Sequence, residues 1–188
     1  MPTLVEVEAE ARTCVRCPLS KGRTQVVFGV GNPSADLMFV GEGPGEQEDL
    51  QGEPFVGKSG KLLDKLMLEE LGMTREDVYV ANTVMCRPPG NRDPLPGELE
   101  ACRPHLEAKL ELINPKVVVT LGNFATKQLL NTTEGITKVR GKAYPYRGGV
   151  LVPTFHPAAV LRGGGEAQAQ MRADLVRAKR ALRELAPC

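Results

Sequence analysis

The cysteines and histidines are the residues of this 188-residue chain with the widest chemical repertoire, five and two in number. Cys14-Val-Arg-Cys17 is a C-x-x-C pair, and Cys86 and Cys102 follow singly. Such a set suits a redox dithiol, a zinc site or an iron–sulfur site. A thioredoxin-like pair follows a strand and opens a helix, whereas this one follows a predicted N-terminal helix. Structural zinc is usually held by two paired motifs, so one pair plus two dispersed thiols fits a cubane cluster better. Zinc and unrelated buried thiols stay open on spacing alone. Cys188, at the chain's end, is read as a free thiol.

A second stretch, Gly52-Glu-Pro-Phe-Val-Gly-Lys-Ser59, matches the phosphate-loop pattern G-x-x-x-x-G-K-[ST]. That pattern binds phosphate only where a strand runs into the loop and a helix leaves it. Here the nearest apolar run, residues 37–40, lies well upstream, and Glu42, Glu46, Glu48 and Asp49 stand between. Pro54 has no N–H to give. A triphosphate site is therefore disfavoured, and the segment needs another purpose.

The elements that position these residues alternate. Apolar runs at 37–41, 77–82, 116–122 and 149–156 precede predicted helices at about 59–71, 96–113, 123–130 and 166–185. This order predicts an α/β fold with a parallel sheet covered on both faces. No repeat or long linker divides the chain, so residues 1–188 read as one domain with an N-terminal thiol-bearing segment. Ligands of such sheets collect beyond the strands' carboxyl ends. Those ends deliver Gly41, Glu42 and Gly43, then Asn82, then Gly122-Asn123, then His156.

Composition is that of an ordinary globular protein, 41% apolar and 25% charged. No apolar run reaches the roughly 20 residues of a membrane helix, and the acidic N-terminus is unlike a signal peptide. The expectation is a cytoplasmic monomer, nucleoid-associated when bound to DNA, with no membrane partner. Net charge is only +1, but residues 12–28 carry four basic side chains and residues 135–165 carry five, without an acid in either. Two such segments around an acidic loop suggest a rim that tracks a phosphate backbone.

Six blocks together carry a resemblance: "GEGPGEQED" (41–49), "GEPFVGKSGKLL" (52–63), "NTVMCRPPGNRDP" (82–94), "LGNFA" (121–125), "ITKVRGK" (136–142) and "HPAAVLR" (156–162). With the four cysteines in order, the chain resembles a family 4 uracil-DNA glycosylase over nearly its whole length. The resemblance implies a three-layer α/β/α sandwich with a four-stranded parallel sheet. It also implies a structural [4Fe–4S] cluster on Cys14, Cys17, Cys86 and Cys102, and uracil-containing DNA, single- or double-stranded, as substrate.

By the same resemblance Phe55 stacks on a flipped base, with Gly41 and Gly43 in the pocket, and Asn82 reads the uracil edge through its amide. His156 donates a hydrogen bond to uracil O2 as the glycosidic bond breaks. The best-known branch of the superfamily has an Asp where this chain has Gly43. The acid near the sugar is then sought among Glu42, Glu48 and Asp49, Glu42 first, with Glu48 a candidate for excluding thymine's methyl. Leu161 would fill the gap left by the flipped base, and Lys138, Arg140, Lys142 and Arg162 would contact phosphates. The competing reading is a binder of the same superfamily that does not turn over or that traps uracil covalently. The trapping branch uses a His in an inserted basic loop, and residues 87–97 hold neither.

Overall fold

A computed structural model describes residues 1–187; Cys188, read above as a free thiol, lies outside them. In chain order the elements are α1 (Leu4–Arg12), β1 (Val30–Gly31), β2 (Leu37–Gly41), α2 (Glu46–Gln51), α3 (Lys58–Leu66), β3 (Tyr79–Asn82), α4 (Pro96–Ile113), β4 (Val117–Leu121), α5 (Asn123–Leu130), α6 (Ile136–Val139), β5 (Tyr144–Tyr146), β6 (Gly149–Thr154) and α7 (Pro157–Leu185). The strands form one sheet in the order β1-β3-β2-β4-β6-β5. The inner four, β3-β2-β4-β6, are parallel, as expected; β1 and β5 add antiparallel edges. Those edges are two and three residues long, too short to leave a periodic signal.

The inner strands are mostly apolar because both of their faces are covered, with polar residues at or near their carboxyl ends, Asn82, Thr120 and Thr154. Leu37, Phe39, Val80, Val117, Val119 and Val152 point into one core with α3 and α7. Their neighbours Met38, Val40, Ala81, Val118 and Leu151 point into another with α4 and α5. This is the three-layer sandwich, with side chains alternating between layers at the strand period. A third cluster joins α1 (Val7, Ala11) to Leu19, Val26, Phe28, Val84 and Met85, and carries the cysteine-bearing segments.

Three expectations about elements are revised. Residues 46–51, read as part of an acidic loop, form α2. Helix α3 ends in a π turn, Met67–Leu71, whose Glu69 and Glu70 bind Arg172 of α7 at 2.7 and 2.9 Å. The last helix begins at Pro157, not near 166, and kinks at Gly164 (φ 75°). Its first part thus stays at the sheet's edge while the second packs Met171, Leu175, Ala178 and Ala181 onto the core. Among the described residues no helix is long and apolar enough to cross a membrane.

Register aligns the strand ends. Gly41 pairs with Asn82, Val40 with Thr120, and Leu121 with Thr154. The four exits therefore open at one level, and the segments that leave them surround one cleft.

Candidate active site

The cleft at these strand ends has a volume of about 680 Å³. That is within the range of small-ligand sites. Its walls include Glu42 and Gly43 after β2, Asn82 at the end of β3, Gly122 after β4, and His156 after β6. Glu48 lines it from α2, Phe55 from the segment between α2 and α3, and Arg162 from α7.

His156 caps α7. Its Nδ1 accepts the backbone N–H of Ala158 at 3.1 Å. A neutral imidazole that accepts at Nδ1 carries its proton at Nε2. Burial, helped by the Arg162 cation, depresses its pKa to about 4. The ring is therefore a neutral Nε2–H donor at ordinary pH.

Asn82 is 2% exposed, and its Oδ1 has no hydrogen-bond partner. A buried orphan acceptor costs about 1–3 kcal/mol, which a ligand N–H would recover. The Phe55 ring lies close by. A Cβ added to Gly41 would stand 2.4 Å from Phe55 Cζ and 2.6 Å from Asn82 Oδ1. Gly41 is thus required for close approach: it lets the ring and the amide meet over bare backbone.

Glu42 is half-buried between β2 and Gly122. A Cβ on Gly122 (φ +95°) would meet Glu42 Oε1 at 2.9 Å and His156 Cβ at 3.1 Å. Burial raises the Glu42 pKa to about 7; Asp93 across the cleft pushes the same way and Arg162 opposes. Asp93 was not singled out in the sequence, although it sits in the quoted block 82–94. Its effect on Glu42 depends on the loop 87–95 folding back over the cleft. That loop is fastened by Arg92, whose two Nη atoms each donate to Glu98 at 2.8 Å. Glu98 also accepts the Leu95 N–H at 2.8 Å.

Glu48 lines the cleft, but its carboxylate is engaged. Oε1 accepts from the Gly45 N–H at 3.0 Å, and Oε2 from the Val56 and Gly57 N–H groups at 3.0 and 2.9 Å. These last two belong to the stretch that matches a phosphate loop. The amides that a phosphate would need are held by an internal carboxylate, so the stretch shapes a wall instead. Asp49 is likewise structural, buried and accepting from Thr24 and Gln25 N–H groups at 2.9 and 3.4 Å.

The basic residues divide. Lys138, Lys142, Leu161 and Arg162 are exposed, Leu161 by 50%. Lys138 lies 3.3 Å from Glu134. Arg140 is turned inward: Nε and Nη2 reach Asp174 at 3.0 and 2.7 Å, and Nη2 also donates to the Gln170 carbonyl at 3.2 Å. The structure thus occupies most of the Arg140 fork within the protein.

Cys14, Cys17, Cys86 and Cys102, spread between positions 14 and 102, line one apolar cavity, brought together between α1, α4 and the end of β3. Arg23 closes the cavity, its Nη1 donating to Cys14 O at 2.6 Å and lying 3.5 Å from Cys86 Sγ. Burial raises the thiol pKa of Cys86 and takes that of Cys102 to about 11. Among the described residues no three Cys, His, Asp or Glu converge at single-ion spacing. Four soft donors around a shared cavity, with a cation at one sulfur, fit a multi-iron group.

The fold and cleft define a class: a doubly covered parallel-sheet protein with a small-ligand cleft at the carboxyl edge of its sheet. The sequence pattern of the Uracil DNA glycosylase superfamily matches residues 28–180. The chain is 49% identical to a Type-4 uracil-DNA glycosylase of Thermotoga maritima over 162 residues, 85% of this chain and 84% of that one. It is 48% identical to the protein of the same name from Saccharolobus solfataricus over 169 residues, 86% and 78% of the two chains. To that of Archaeoglobus fulgidus it is 47% identical over 169 residues, 86% and 84%. The chain belongs to the uracil-DNA glycosylase superfamily, in its type-4 branch.

Proposed function

We propose that this protein is a uracil-DNA glycosylase of base-excision repair, which removes uracil from DNA and leaves an abasic site. The observation that carries the reading is the unpartnered, buried Asn82 Oδ1 beside the Phe55 ring. A flat ring that brings an N–H to that oxygen satisfies both. Uracil offers N3–H there; cytosine offers a bare N3 and leaves the orphan unpaired.

The chemistry follows from the flanking groups. The flipped base stacks on Phe55 with its edge on Asn82, over Gly41 and beside Gly43. As C1′–N1 breaks, its electron pair moves into the ring and charge grows on O2. His156 Nε2–H donates to that oxygen, and a preorganised donor of this kind is worth roughly 3 kcal/mol. Water attacks C1′, and ionised Glu42 orients it and takes its proton. N1 of the uracil anion is protonated from solvent after release. Glu48 holds the wall that closes on the C5 side.

Lys138, Lys142 and Arg162, with the remaining Arg140 donor, contact DNA phosphates, and Leu161 fills the vacated stack. Cys14, Cys17, Cys86 and Cys102 hold a [4Fe–4S] cluster. When bound, the cluster supplies a structural tie and no step of the reaction. Cys86 and Cys102 bracket the loop 87–95 that forms one cleft wall, so the tie also steadies Asp93. The chain acts as a single-domain monomer on DNA in the cytoplasm.

Incubation with an oligonucleotide holding one uracil, with free base measured by mass, tests the reading. Release of uracil, and not of cytosine or thymine from matched controls, is expected. Folded protein that binds the oligonucleotide and releases no base would replace the enzyme with a binder.

A further inference from the structure

We infer that Arg75, which lies outside the cleft, is a positioning residue for base binding: it fixes the turn that presents the Phe55 ring. The inference rests on Phe55 being the base platform. Phe55 has φ 55°, the left-handed region that L side chains avoid. A bulky aromatic holds such a backbone only where the surroundings impose it.

Three features impose it. Arg75 Nη1 donates to the Pro54 carbonyl at 2.5 Å and Nη2 to the Phe55 carbonyl. Its Nε is fixed by Asp64 Oδ1 at 2.7 Å. On the turn's other side the Val56 and Gly57 N–H groups go to Glu48 Oε2. The Pro54 and Phe55 carbonyls are thus held on a cation and the following Val56 and Gly57 N–H groups on an anion. Gly60 completes the arrangement, since a Cβ there would lie 1.7 Å from the Phe55 oxygen.

The ring's place follows from this clamp. Phe55 lies against Gly41 and its centroid is 5.5 Å from that of His156. If the carbonyls are released, the residue relaxes toward negative φ and the ring leaves the amide and imidazole. Arginine is required because its planar fork meets two adjacent carbonyls at once; lysine is a single point donor.

The test measures affinity for free uracil, together with KM and kcat on a uracil oligonucleotide, in Arg75→Ala, Arg75→Lys and Phe55→Ala. In folded Arg75→Ala, uracil affinity is expected to fall about tenfold or more. KM should rise by a similar factor, with a smaller change in kcat. Arg75→Lys should restore part of that loss. A purely structural role would lower the melting temperature and leave the affinity of folded protein unchanged. Wild-type affinity in Arg75→Ala, with affinity lost in Phe55→Ala, overturns the inference alone. Unchanged affinity in Phe55→Ala overturns the reading of Phe55 and the inference with it. Should Arg75→Ala not fold, Arg75→Lys decides: wild-type affinity there also overturns it.

Discussion

The rings of Phe55 and His156 lie 5.5 Å apart, centroid to centroid, with planes inclined at 34°. That is the separation of an aromatic pair in direct contact, so no base fits between them. In the proposed reading the base lies across the Phe55 face and meets His156 with its edge. The geometry suits a donor to O2 and gives the imidazole no stacking role.

Gly41 is the floor beneath this arrangement. Gly41→Ala places a methyl where the Phe55 ring and the Asn82 oxygen now stand. Displacing both by about 1 Å is expected to lower kcat/KM about 100-fold. Circular dichroism should still report a folded α/β protein.

Asn82→Ala is expected to separate function from stability. Uracil excision should fall about 100-fold or more as base recognition is lost. Melting temperature should hold or rise, because a buried acceptor without a partner has been removed. Thermal melts beside excision assays check both.

The pH dependence of kcat/KM reports on the free enzyme. Glu42, raised to about 7, is protonated below that pH and ionised above it, whereas His156 stays neutral down to about 4. Activity should therefore rise with pH through about 7 and level off, and Glu42→Gln should abolish the rise along with most activity. Stability moves the other way. A carboxyl whose folded pKa is raised destabilises the native state as pH climbs from the unfolded value through 7. Glu42→Gln should thus raise the melting temperature more at pH 8 than at pH 5.

Much of this was legible in the sequence because the inner strands are short, mostly apolar runs and α4 and α5 are bounded by clear signals. Helix α4 spans Pro96–Ile113, as the spacing predicts. The edge strands were not legible, since two or three residues carry no period. Strand ends were enough to bring Asn82 and His156 to the cleft. Arg75 was hidden: its partners Pro54, Phe55 and Asp64 are brought to it only by folding. Arg140 shows the converse. Sequence places it in a basic segment, yet Asp174, twenty residues beyond Thr154, draws it inward.

Asp174 is 1% exposed and also accepts from Thr154 Oγ1 at 2.6 Å. Removing it leaves Arg140 without its partner, and Asp174→Ala is expected to cost about 3–5 kcal/mol by denaturant titration. Lys142→Ala should leave stability unchanged and reduce the salt slope of DNA binding by about one.

Iron should be detectable without any assay of activity. Protein isolated without oxygen is expected to carry iron and to absorb visible light, as Cys₄-held iron–sulfur groups do and zinc does not. Cys86→Ser should lose that absorbance and melt at lower temperature. A colourless wild-type protein carrying zinc would contradict the cluster assignment.

The central claim is that His156 supplies a neutral donor to the leaving uracil. Single-turnover excision from a uracil oligonucleotide, followed by alkaline strand cleavage, compares wild type with His156→Ala most directly. The predicted result is cleavage at the uracil, slowed about 100- to 1,000-fold in the variant at unchanged DNA affinity. Equal rates in the two proteins would contradict it.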